Sequence, residues 1–276
     1  TMLDRPLERT HTNDIDDDDY NGGTVGGVGS PASLCADLLS LPEEGGGFRV
    51  GDFVGPELGA FCRAEPAALE DRFIAELAAL LVHSGVRLDD EEYLKVLKRL
   101  LEVGMLEFTA TASEYPLKLF AVWKVVGEIQ RLIMDGRVPN GFFLPPSMEH
   151  TSGDDLARMQ VAEDRLLEVA KSDLSDHFHR CEALAALRAY FGLKGVSAET
   201  LRRIGVQVAP NQIDERGRTH PRLTTLPMGF GPAPAIAKGG HECILYGSAG
   251  EGSEEAKALQ PVLDPRARWS GQRVPE

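Results

Sequence analysis

The spacing of apolar side chains changes at Gly104, and that change limits the fold more than any other feature of the chain. Before it, Leu69, Phe73, Leu77, Leu80 and Leu81 recur at helical spacing, as do Leu94, Leu97, Leu100 and Leu101. From Met105 onward, short apolar runs and two-residue alternation broken by glycine and proline take over. Mixed texture without a regular strand–helix–strand rhythm predicts an α+β fold. Pro66 suits a first helical turn and Gly85 stops that pattern. Asp89 or Asp90 can cap a second helix, which Gly104 ends, so residues 65–104 read as a helical hairpin.

Beyond it, residues 117–126 and 128–134 read as two strands around a tight turn at Val126-Gly127. Residues 154–169 suggest a helix followed by a strand through Leu166, Leu167 and Val169. Residues 182–191 look helical, and 204–209 with 222–226 look like a hairpin over a polar turn. Residues 232–246 begin with helix-compatible prolines and run apolar. The expected division is a mostly disordered segment 1–64, the hairpin 65–104, a mixed region 105–246 and a linker-like tail 247–276.

The disorder expected early rests on Asp16-Asp17-Asp18-Asp19 and on the glycines between 22 and 47, which offer charge and backbone entropy with little to bury. Gly27-Val28-Gly29-Ser30-Pro31-Ala32 mimics a dinucleotide-binding fingerprint. An aspartate run stands before it where a hydrophobic strand is needed, which argues against that use. Net acidity is confined here: residues 1–117 carry 23 acidic and 9 basic side chains, whereas 118–238 carry 14 and 16. A slightly basic middle permits a phosphate site. Cys35, Cys62, Cys181 and Cys243 form no close pair, so reduced thiols and an intracellular (cytoplasmic or nuclear) setting are expected. No apolar run approaches the ~18 residues of a membrane span.

Three blocks carry chemistry. In the first, Lys124 and Arg131 flank a turn and are followed by Asp135-Gly136-Arg137-Val138-Pro139-Asn140. Two cations on one face of a hairpin can clamp phosphates, or they are solvated tips. Asp135 and Arg137 read as a structural ion pair. In the second, Lys171-Ser172-Asp173-Leu174-Ser175-Asp176-His177-Phe178-His179-Arg180-Cys181 places a carboxylate where a strand would end. Asp173 there is rigidly aimed for metal binding, or it caps a helix. The third is Leu226-Pro227-Met228-Gly229-Phe230 running through Pro234 to Lys238, where Gly229 lets backbone come close to a ligand.

In order and rough spacing these blocks resemble the fingers hairpin, the metal-binding palm segment and the LPxG segment of the reverse transcriptase family. The resemblance implies the fingers and partial palm of a right-hand polymerase, with residues 65–104 as an N-terminal helical extension. It implies an RNA-directed DNA polymerase of a retroelement that uses Mg²⁺, dNTPs and an RNA or DNA template-primer. Asp173 would be the catalytic, metal-binding carboxylate. Lys124 and Arg131 would hold the triphosphate, with Asp176, Met228 and Gly229 beside the nucleotide. Phe178 would lie under the sugar and select deoxynucleotides.

The chain also departs from that pattern. No paired aspartate follows Lys238, while Asp89-Asp90 and Asp154-Asp155 come too early to complete the metal site. The expectation is a piece that ends before the family's Y-x-D-D segment and does not polymerise DNA by itself. His177 stands where a small residue is often found, and Met228 replaces a glutamine. Two other classes remain open at this stage. One is a non-catalytic interaction module using the acidic first segment. The other is a zinc-binding regulator using His177, His179, Cys181, His241 and Cys243, whose spacing differs from common zinc modules.

Overall fold

A computed structural model describes residues 27–69, 90–146 and 173–248. In chain order its elements are β1 (Pro31–Ala32), α1 (Pro56–Cys62), α2 (Asp90–Glu102), β2 (Leu106–Thr109), β3 (Leu119–Val125), β4 (Ile129–Met134) and α3 (Arg137–Asn140). There follow α4 (His177–Arg180), α5 (Ala185–Arg188), β5 (Val196–Ser197), α6 (Ala198–Arg203), β6 (Arg218–Leu223) and α7 (Ala233–Ser248). The architecture is mixed, with two small antiparallel sheets ordered β1-β3-β4 and β2-β6-β5.

Helix α2 forms as its sequence dictates. Asp90, Glu91 and Glu92 complement the positive N-terminal end, and Tyr93, Val96, Leu97 and Leu100 are buried along one stripe. At its end Gly104 donates to the Leu101 carbonyl (3.0 Å) and Met105 to that of Leu100 (2.8 Å), which satisfies otherwise orphaned acceptors. Leu94 and Leu101, expected on the buried face, pack only partly against the core.

The β3–β4 hairpin turns at Gly127, whose φ of 78° suits glycine. Its register sets Leu119 opposite Met134 and Ala121 opposite Leu132, and all four are buried. Bridges from Leu117 to Leu193 and from Gly192 to Arg222 tie this sheet to the second one. Buried side chains from Leu34 to Ala237 make one contiguous core, with Leu97, Leu100, Met105, Phe191 and Phe230 among the largest fully enclosed.

Three expectations need correction. First, residues 27–64 are not disordered. Leu34, Ala36, Leu39, Val50, Ala60 and Phe61 are buried, and β1 adds to the edge of β3 with Pro31 opposite Val122. The segment is held by distant groups. The Gln130 side chain accepts from the Cys35 amide (2.9 Å) and donates to the Ser33 carbonyl (2.8 Å), and Arg99 donates to the carbonyls of Ala36 and Leu39. Sparse apolar anchors with external partners outweigh a glycine-rich average.

Second, residues 204–209 do not pair with 222–226. β6 lies instead between β2 and β5, with Leu106 opposite Leu223 and Val196 opposite Thr219. Third, only Ala185–Arg188 of residues 182–191 is helical. Ala183 donates to Thr224 O (2.8 Å) and Phe191 O accepts from Leu223 (3.1 Å), so strand-like bonding claims both flanks. Within the first expected helix, Pro66–Ala68 forms a 3₁₀ turn, and residues 70–89 lie outside the described residues. The expected helix and strand of 154–169 also lie outside them. Among the described residues, no helix is long and apolar enough to cross a membrane.

Candidate functional site

The first and third blocks meet backbone to backbone. Met134 donates its amide to the Met228 carbonyl at 2.9 Å. Asn140 then closes the junction from both ends: its side-chain amide donates to Gly229 O (2.9 Å), and its oxygen accepts from the Gly231 amide (2.6 Å). The chains cross so closely that a Cβ on Gly229 would stand 2.0 Å from the Met134 carbonyl oxygen. One on Gly136 would stand 2.0 Å from that of Gly229. Gly229 also has a φ of 118°, which L side chains rarely adopt.

Next to this crossing, Asp135 accepts from Arg137 at Nε (2.9 Å) and Nη2 (2.6 Å) and from its backbone amide (3.2 Å). The expected ion pair therefore exists, although Arg137 opens α3 and does not continue a strand. The Arg137 guanidinium holds the Asp135 carboxyl below its usual range. Met228 is half-buried and Gly229 exposed.

The second block lies alongside the third. Leu226 donates to Cys181 O (3.0 Å), Ala183 donates to Thr224 O (2.8 Å), and Glu182 bridges antiparallel to Thr225. Arg188 fixes this seam with ion pairs to Glu107 and Glu182, both 2.8 Å, and Arg222 also pairs with Glu107. Sequence reasoning did not anticipate these four residues as a unit, because their spacing along the chain carries no period.

Asp173 is exposed in irregular backbone, and the strand expected to deliver it falls outside the described residues. Asp176 has a φ of 53° and precedes α4. Phe178 is half-buried and packs on the core, its ring stacked near that of His177 (centroids 6.3 Å apart). His177 also meets His241 of α7 edge-on at 6.2 Å. Burial, and then His241, push the His177 imidazole below its ordinary pKa.

Lys124 and Arg131 are both exposed on the hairpin. Arg131 stands opposite Val122, whereas Lys124 falls within a register irregularity between Trp123 and Val125. Its ammonium donates to Ser40 Oγ at 3.1 Å, a contact from the segment expected to be disordered.

Residues 177–180 form a helical turn, which does not set His177, His179 and Cys181 on one strand face. His179 and Cys181 are buried while His177 faces α7, so the three do not share a face. Burial pushes the Cys181 thiol up to about 12. Among the described residues, no group of three His, Cys, Asp or Glu side chains could hold a metal ion. The described residues therefore do not by themselves form a complete cation site for Mg²⁺.

No protein-family model matches the chain, and no curated protein matches it. Among solved structures, a foamy viral protease-reverse transcriptase in complex with double-stranded DNA is similar to it, with a TM-score of 0.35 and 17% sequence identity. The match covers 53% of this chain and 21% of that chain, so the matched part spans about a fifth of that chain's length.

Proposed function

We propose that this chain is the fingers and adjoining palm portion of an RNA-directed DNA polymerase of retroelement type, and that it binds a deoxynucleoside triphosphate and a template-primer. The observation that carries the reading is the junction through Asn140. It joins the D-x-R-x-x-N end of the first block to the LPMG segment, 89 residues away in sequence. The second block is paired to the same segment through Cys181 and Leu226. Three stretches singled out for their order thus converge on one structural unit.

In this reading Lys124 and Arg131 neutralise the triphosphate, since both are exposed cations on one hairpin. Phe178 supports the sugar, while the half-buried Met228 and exposed Gly229 lie beside nucleotide and template. Asp173 and Asp176 face the phosphates, Asp173 as the described carboxylate for Mg²⁺. When bound, that ion supplies charge neutralisation on the phosphoryl groups.

The test is an equilibrium titration of the chain with a fluorescent dNTP in Mg²⁺, monitored by anisotropy. The Lys124→Ala/Arg131→Ala double variant should bind at least about tenfold more weakly, because removing two charge-assisted contacts costs upward of ~1.4 kcal/mol. Lys194→Ala, on an exposed ion pair with Asp90, should bind as wild type. Equal affinity of the double variant and wild type would refute the assignment.

A further inference from the structure

α4 places two imidazoles where a positive charge is poorly tolerated. His179 is 4% exposed, and among the described residues neither of its ring nitrogens has a hydrogen-bond partner. His177 packs edge-on against His241 of α7, with ring centroids 6.2 Å apart. Backbone bonds tie the turn to residues 46–48. Gly46 donates to His179 O (2.8 Å) and Phe48 to Arg180 O (3.1 Å), while Arg180 and Cys181 donate back to Asp176 O and His177 O. Asp176, with its left-handed φ of 53°, enters the turn in a conformation unfavourable for a non-glycine residue.

We propose that α4 is an acid-released latch: protonation of its histidines detaches the turn from α7 and from residues 46–48, and carries Phe178 and Asp176 away from the body of the fold. Among the described residues, the charged groups around it offset burial only in part. Asp176 favours the charged form of His179, but burial outweighs it and the imidazole lies below its ordinary pKa. On α7, Lys238 and Glu242 are paired with each other at 3.0 Å. On the segment crossing the turn, Arg49 and Asp52 form their own exposed pair at 3.4 Å. Arg180 directs Nε to Ser175 O (3.2 Å), and Glu182 is engaged by Arg188.

The direction follows from linkage. Both imidazoles bind protons more readily with the turn open than closed, so the closed state is fully favoured above the free-imidazole pKa of ~6.5 and loses stability as pH falls below it. Any consequence for nucleotide binding rests on the function proposed above, whereas the latch does not.

Hydrogen exchange on the intact chain, read by mass spectrometry at about pH 7.5 and about pH 5.5 and corrected for intrinsic rates, tests the latch. Amides of residues 177–183 should open at least about tenfold more often at the lower pH, with those of 129–134 unchanged. His177→Asn and His179→Leu should each reduce that ratio. An unchanged wild-type ratio, or opening of 177–183 only together with 129–134, overturns the proposal whether or not His179→Leu folds. A parallel titration with fluorescent dNTP separates the two claims. Opening without loss of affinity leaves the latch standing and counts against Phe178 and Asp176 as nucleotide contacts.

Discussion

Replacing Gly229 by alanine tests the crossing of the first and third blocks, because two costs add there. The backbone φ of 118° is one that alanine adopts with strain of about 1–2 kcal/mol. The added methyl would also stand 2.0 Å from the Met134 carbonyl oxygen, so the two backbones must separate. Separation weakens the Met134–Met228 hydrogen bond and the bond from Asn140 to Gly229 O, each contributing about 1 kcal/mol. The expected destabilisation is therefore about 3–4 kcal/mol. Gly127→Ala is the matched control: its φ is 78°, and nothing lies within 4 Å of an added Cβ. It should lose only the strain, about 1–2 kcal/mol. Urea denaturation of both variants measures the difference directly. Equal losses, within about 0.5 kcal/mol, would refute the close approach at Gly229 and with it the junction.

Two further predictions concern the elements around the site. Gln130→Ala removes both side-chain bonds to Cys35 and Ser33, and Gln130 is only 1% exposed. The variant should lose about 2 kcal/mol and be cut faster by protease within residues 27–45, whereas wild-type cleavage rates would argue against an anchored N-terminal segment. Asp135→Asn should flatten the acid limb of the stability curve. Arg137 lowers the folded-state pKa of Asp135, so its contribution is present above the unfolded value of ~3.9 and lost as pH falls through the folded one. Denaturation midpoints as a function of pH check this, and an acid limb identical to wild type contradicts it.

Local signals in the sequence suffice where one residue decides the outcome. Gly104 ends α2, Gly127 turns the β3–β4 hairpin, and Pro232 and Pro234 introduce α7. Failures came where the deciding partner is remote. Residues 27–64 resemble a disordered segment until Gln130 and Arg99, on other elements, satisfy their backbone. β6 shows strand texture, but nothing nearby reveals that its partner is β2 and not residues 204–209.

The site divides in the same way. Block order was legible because each block carries its own motif. The clamp by Asn140 and the Glu107–Arg188–Glu182–Arg222 network arise only once the chain has folded. Asp173 was legible as a carboxylate of interest, yet neither its motif nor its exposure supplies a second metal ligand.

The measurement that bears most directly on the central claim is photoaffinity labelling with an azido-dATP in the presence of Mg²⁺, followed by peptide mapping. If one nucleotide site is built by the three blocks, labelled peptides should come from residues 124–140, 173–181 and 226–232. Unlabelled dNTP should suppress all three in parallel. Labelling confined to a single block, or labelling that excess dNTP fails to suppress, would contradict the account.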